Sequence, residues 1–263
     1  SIRKKITRIK TLPLLPLRGL VVFPGALIHF DVGRTKSLSA LHHAMETDQI
    51  LILALQKDPT IDNPSIEDVF SVGVVSRIVQ IMKLPDDNFR VTAEGLYRAS
   101  ISSLEQIDPH YEAYTVEYLD RNVSDEIKKA AFERELREKY KMYSSKSPVM
   151  TSDMDNRIAK ADSLGELCDL MANYLPIPLK EKQRLIETAM VSRRAEKVLF
   201  LLDQEQQILE MDLEIQSKVQ KKIDDNQKDY YLREQIKVIS EELGEEDNPQ
   251  EEAEEFRNQL LKL

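Results

Sequence analysis

The 263-residue sequence has one cysteine, no tryptophan and only seven glycines. The single thiol, Cys168, excludes an internal disulfide and points to a reducing compartment. Its neighbours Leu164, Leu167, Leu170 and Met171 recur at helical spacing, which assigns it to a core and not to nucleophilic chemistry. No glycine belongs to a Gly-x-x-x-x-Gly-Lys phosphate loop or a Gly-x-Gly-x-x-Gly turn, so no nucleotide site is indicated. No serine sits in a Gly-x-Ser-x-Gly elbow. The four histidines, His29, His42, His43 and His110, show no metal-ligand spacing; the adjacent His42 and His43 point to different faces of a helix and read as structural or surface residues. Acidic pairs such as Asp86-Asp87 and Asp224-Asp225 lie in polar surroundings, where solvation accounts for them. The expectation is a non-catalytic chain with no cofactor or metal site of its own.

Long apolar runs are also missing: none approaches the ~18 residues of a membrane span. The opening residues, with Arg3, Lys4, Lys5, Arg8 and Lys10, read as a solvated basic tail without a signal peptide's hydrophobic segment. A formal net charge of −9 argues against a general nucleic-acid surface. The acidity gathers late, at Glu241, Glu242, Glu245, Glu246, Asp247, Glu251, Glu252, Glu254 and Glu255, as in a solvated helix face or acidic link.

What is present divides by periodicity. Residues 12–119 read as strands. Leu12-Pro13-Leu14-Leu15-Pro16-Leu17 carries two prolines and suits an edge strand, because proline cannot donate to a ladder. A turn at Phe23-Pro24-Gly25 follows, then extended structure over 26–32, a short helix over 38–45 capped by Ser37, and a buried strand over 49–56. Residues 69–84 and 89–101 flank Pro85-Asp86-Asp87-Asn88, a hairpin connection, and 111–119 supply a last strand. Residues 126–143 pattern as a helix capped by Ser124 or Asp125, 144–155 as a polar loop, 163–174 as a second helix and 179–189 as a short third.

Residues 179–243 then contain neither glycine nor proline. Apolar side chains recur there in threes and fours in three blocks: Val191 to Leu202, Ile208 to Ile223, and Leu232 to Leu243. The first block should join the local bundle. Between the second and third lies Asp224-Asp225-Asn226-Gln227-Lys228-Asp229, where the helix is expected to change partners or bend. The expected fold class is α+β: a small curled or barrel-like sheet, an α-helical bundle, and a long projecting C-terminal helix, divided at 1–119, 120–190 and 191–263.

Leu12-Pro13-Leu14-Leu15-Pro16-Leu17-Arg18 with Phe23-Pro24-Gly25 resembles the opening of the ATP-dependent Lon proteases. The resemblance continues through Asp31-Val32-Gly33-Arg34, Gln56-Lys57-Asp58-Pro59, Val72-Gly73-Val74-Val75, Lys83-Leu84-Pro85-Asp86 and Glu94-Gly95-Leu96-Tyr97-Arg98-Ala99. It returns in Tyr230-Tyr231-Leu232-Arg233-Glu234-Gln235 and Glu241-Glu242-Leu243-Gly244-Glu245. Asp87-Asn88 departs from it, since the family usually has a glycine in that hairpin. The motif residues Pro13, Pro16, Arg18, Pro24, Gly25, Gly73, Gly95, Arg233, Glu234 and Gln235 are expected to be structural.

The resemblance implies the N-terminal region of a LonA-type subunit: a PUA-like β lobe, a helical lobe and a long helix leading to an ATPase module that binds ATP and magnesium, followed by a Ser–Lys peptidase. Neither motif set occurs in this sequence. The implied role is substrate recognition and assembly or gating in a cytoplasmic hexamer that degrades misfolded and regulatory proteins. The implied partners are unfolded or tagged proteins and neighbouring subunits, with no membrane. Candidate contacts are Met211, Ile215, Ile223, Tyr230 and Tyr231. Two alternatives stand beside this reading: an RNA-binding PUA-like module, disfavoured by the acidity, and a structural coiled-coil spacer suggested by the heptad-like stripe.

Overall fold

In a computed structural model, which describes residues 7–244 and 257–258, the N-terminal half forms a six-stranded mixed sheet. The strands are β1 (Ile9–Leu17), β2 (Leu27–Val32), β3 (Ile50–Leu55), β4 (Val72–Lys83), β5 (Phe89–Gln106) and β6 (Tyr111–Glu117), in the order β2-β5-β4-β3-β1-β6. β5 also pairs with β6, so β5, β4, β3, β1 and β6 close a ring, and β2 hangs from the first half of β5. Among the pairings of these six strands, only that of β1 with β3 is parallel. Bulges between Val75 and Ser76 and between Ile101 and Ser103 supply the bending that closure needs.

β1 is not the edge strand its prolines suggested: it lies between β6 and β3. The backbone explains why this is tolerated. β6 pairs with Ile9 to Leu14 and β3 with Leu14 to Leu17, so each half of β1 has one unpaired side. The Arg8 carbonyl accepts from Glu117 on the β6 side and the Leu17 carbonyl accepts from Gln56 on the β3 side, so even-numbered residues face β6 and odd-numbered ones β3. Pro13 therefore faces the β3 side before that pairing starts, and Pro16 faces the β6 side after that pairing ends. Neither ring nitrogen stands where a ladder donor is required.

Alternation along the strands builds two cores. Leu12, Leu14, Ile52, Ala54, Val75, Ala99, Tyr111 and Ala113 fill one face, inside the ring. Leu15, Leu17, Leu51, Leu53, Val72 and Val74 belong to a larger core with the helices. β3 is buried on both faces, as its unbroken apolar run indicated.

The helices are α1 (Thr35–Glu46), between β2 and β3, and α2 (Glu126–Lys146), α3 (Ser152–Ala159), α4 (Leu164–Tyr174), α5 (Leu179–Glu187) and α6 (Val191–Glu242). Ser37 lies inside α1, buried, and not at its cap, because the helix already starts at Thr35. The polar segment expected as loop over 144–155 contains the end of α2 and the start of α3; Thr151 accepts from the Met154 amide and nucleates a short acidic turn. Asp125 and Ser163 cap α2 and α4 in the same way. α4 is buried along most of its length and α5 lies against β4 through Gln183, which donates to the Val72 carbonyl. α6 runs without interruption through Asp224 to Asp229, where a bend was one expectation. It ends at Gly244, whose left-handed φ of 68° suits the position after a helix C-terminus.

Two compact units result: Ser1–Leu209 and Glu210–Leu263. The residues of α6 from Val191 to Leu202 that recur in threes and fours are buried in the first unit. The basic residues Arg3, Lys4 and Lys5, the acidic residues from Glu245 to Glu255 and the segment 249–263 as a whole fall outside the described residues, apart from 257–258.

Candidate protein-interaction surface

Within the second unit α6 continues from Glu210 to Glu242, and its large apolar side chains are exposed. Met211, Ile215, Ile223, Tyr230 and Tyr231 lie between 43% and 68% exposed, and Val219, Ile236 and Ile239 are similar, as is Ile208 at the end of the first unit. At 3.6 residues per turn, Ile208, Met211, Ile215, Val219 and Ile223 fall in a sector about 120° wide. Tyr230 returns to that sector, whereas Tyr231 lies outside it. Leu232, Ile236, Ile239 and Leu243 centre roughly 110° away on the same count. The polar gap thus marks a change of face, not a break in the helix. The structure brings four of the five candidate contacts onto one face and leaves Tyr231 off it, where its hydroxyl accepts from Gln235.

Polar neighbours on this helix are tied to the helix itself: Lys218 to Glu214, and Gln220 to Asp224, each one turn apart. Such pairs stabilise the helix modestly and leave the apolar stripe available. Arg233 and Glu234 are exposed as well.

In the first unit, a buried charge network holds the start of α6. Arg98 of β5 makes a bidentate pair with Asp169 of α4, at 2.7 and 2.6 Å, and donates to the Ile186 carbonyl. Arg194 of α6 makes another with Asp120, at 3.0 and 2.6 Å, and donates to the Thr188 carbonyl; Asp169 lies 3.6 Å from it. Burial works against the Arg194 charge, but Asp169 and Asp120 more than offset it and hold its pKa above the usual value. Sequence reasoning missed this network. Its trace was there: Arg194 occupies the phase of Val191, Ala195 and Val198, and Asp169 interrupts the apolar run of α4.

Several N-terminal motif residues occupy turns and close backbone approaches. Pro24 and Gly25 occupy the corners of a turn closed by the Ala26 amide on the Phe23 carbonyl, with Gly25 at φ 79°. Gly95 sits where β5 leaves β2; a Cβ there would stand 2.2 Å from the Phe23 carbonyl oxygen. Gly73 lets β4 approach Leu53 of β3. In the β4–β5 hairpin, Asp87 takes the left-handed conformation, φ 61°, that a glycine would adopt freely. A cleft beside β1 and β2 is lined by Arg18, Arg34 and Arg90, but each is already engaged, with Asp62, with Gln56 and the Pro16 carbonyl, and with Asp31 respectively. Cys168 is buried, and burial pushes its thiol pKa well up, as a core residue requires and a nucleophile does not.

Residues 11–204 match the family described as ATP-dependent protease La (LON) substrate-binding domain. A Lon protease of Brevibacillus choshinensis is 38% identical over 253 residues, covering 96% of this chain and 32% of the relative. One from Clostridium acetobutylicum is 39% identical over the same shares. The chain therefore spans about a third of the length of the curated relatives it matches. Among solved structures, the N-terminal domain of a Mycobacterium avium complex Lon protease superposes with a TM-score of 0.57 at 19% identity, covering 74% of this chain and 98% of that one, a likeness of fold. Among the described residues, no helix is long and apolar enough to cross a membrane.

Proposed function

The chain belongs to the substrate-binding domain family of the ATP-dependent protease La (LON), and from that membership we propose that it serves as the non-catalytic, protein-recognising N-terminal region of an ATP-dependent protease. The observation that carries the reading is the exposed apolar face of α6 from Met211 to Tyr230. Unfolded polypeptides expose apolar side chains that folded proteins hide, so a stripe of this kind would bind them weakly and with little sequence preference. Several copies in a ring would add avidity without new contacts. In this reading the Ser–Lys peptidase and the ATP- and magnesium-binding module lie elsewhere in the full protein, which acts as a cytoplasmic hexamer, and the third apolar block, Leu232 to Leu243, serves assembly or gating. The divisions at 1–119, 120–190 and 191–263 would then separate a β lobe, a helical lobe and a coupling helix.

Fluorescence anisotropy with a chemically unfolded, alkylated protein as probe tests the reading. Micromolar binding is expected, weakened about tenfold in a variant combining Met211→Ser, Ile215→Ser and Ile223→Ser, with helicity retained. Absence of binding at high micromolar concentration, or binding that the triple variant leaves intact, would sink it. The same stripe also favours a self-pairing helix; a tight dimer in sedimentation, abolished by the triple variant, would select that second reading.

A further inference from the structure

The structure places three ligand-type side chains together that are far apart in the sequence. His43 of α1, His110 of the β5–β6 turn and Glu112 of β6 offer donor atoms all within 4.8 Å of one another. Glu112 Oε1 lies 2.6 Å from His110 Nε2 and 3.6 Å from His43 Nε2, and the two imidazole rings are 4.9 Å apart. From this cluster we infer a binding site for a divalent transition-metal ion of the zinc type, with two imidazoles and one carboxylate as ligands. The inference is independent of the proposed protein-recognition role.

The donor set and its surroundings both support it. Borderline ions such as zinc take imidazole and carboxylate at about 2.0–2.2 Å, and tetrahedral donors around such an ion stand roughly 3.3 Å apart. The Glu112–His43 separation is already close to that, and the others, 2.6 Å and at most 4.8 Å, lie on either side of it. His110 is buried and its backbone is fixed, since its carbonyl accepts from Gln106 Nε2 at 3.1 Å. Its second ring nitrogen, Nδ1, lies 3.2 Å from Ser39 Oγ, an outer partner of the kind that orients metal-bound imidazoles. Ser39 and His43 are four residues apart on α1 and so share the face turned to β6. His42 is one residue off that face and pairs with Glu46 in solvent.

His110 Nε2 lies against Glu112 and Nδ1 against Ser39. An ion on Nε2 would take the place of a proton there and leave Nδ1 to carry the ring proton toward Ser39. Three protein ligands leave one position for water. The ion would fasten α1 to the edge of the ring where β5 turns into β6.

Titration of the chain with zinc ion, followed by calorimetry, and with cobalt(II), followed by visible absorption, tests this. The expected result is one ion per chain at micromolar affinity and an intense tetrahedral cobalt spectrum. His43→Gln and Glu112→Gln should each weaken binding roughly a hundredfold, and Ser39→Ala about tenfold. His42→Gln should change nothing. His110→Gln should abolish binding; because its site is buried, its fold is checked by circular dichroism, and the exposed His43 variant carries the test if it fails to fold. Equal binding by wild type and His43→Gln, a loss in His42→Gln of the same size, or a weak octahedral cobalt spectrum would overturn the site.

Discussion

Asp169 and Gly95 show what single positions contribute. Asp169 lies between two buried guanidinium groups, Arg98 and Arg194, so Asp169→Asn strands buried positive charge; the expected loss is about 3–5 kcal/mol, read from denaturant midpoints. Gly95→Ala would drive a methyl group into the Phe23 carbonyl, for a loss of at least about 2 kcal/mol by the same measurement. The sequence carried a residue-scale signal for both: a charged residue in apolar phase, and a glycine inside a strand pattern. The cluster of His43, His110 and Glu112 left no such trace, because spacing along the chain says nothing about two segments that meet only through the closing of a sheet. The prolines of β1 misled for a related reason. Proline's missing donor rules out a fully paired position, but pairing on each side of a strand begins and ends separately.

Among the elements, α6 changes character along its length while its helical geometry does not. Its early apolar positions are buried and its later ones are exposed. Leu202→Ala should therefore cost about 2–5 kcal/mol, whereas Ile215→Ala should stay within about 0.5 kcal/mol. Hydrogen exchange should divide the helix likewise, with slow amides from Val191 to Leu209 and faster ones beyond, since a helix face without tertiary cover depends on propensity alone. α5 is tied to α6 by Glu181 and Lys197, at 2.9 Å. The Lys197 ammonium against its Oε2 holds the Glu181 carboxyl below its ordinary 4.5, with burial opposing and the nearby Arg184 adding to the effect. A depressed acid stabilises the fold fully above the unfolded value and loses that contribution as pH falls through the folded one. Lys197→Met should accordingly flatten the acid limb of stability measured between about pH 3 and 6. Periodicity made α2, α4 and α6 legible in advance. α3 was not, because eight mostly polar residues give too short a pattern to separate from a loop.

At the scale of the whole molecule, the alternation of strands and then helices was enough for the α+β class and a curled sheet. A barrel-like sheet was also expected, but that β5 and β6 close it was not readable, because that pairing depends on bulges that shift register. Closure also sets an order of events. β1 meets β3 across a short stretch of chain, Leu14 with Ile52, but meets β6 only where Ile9 reaches Val116. During synthesis β1 therefore waits, unpaired until β3 is made and half-paired from then until the chain has reached Val116. Such distant pairing slows folding. Throughout that wait the side of the strand turned to β6 faces competing chains, and Pro16, whose ring nitrogen lies on that side, is among the few features that blunt it against pairing with the wrong partner.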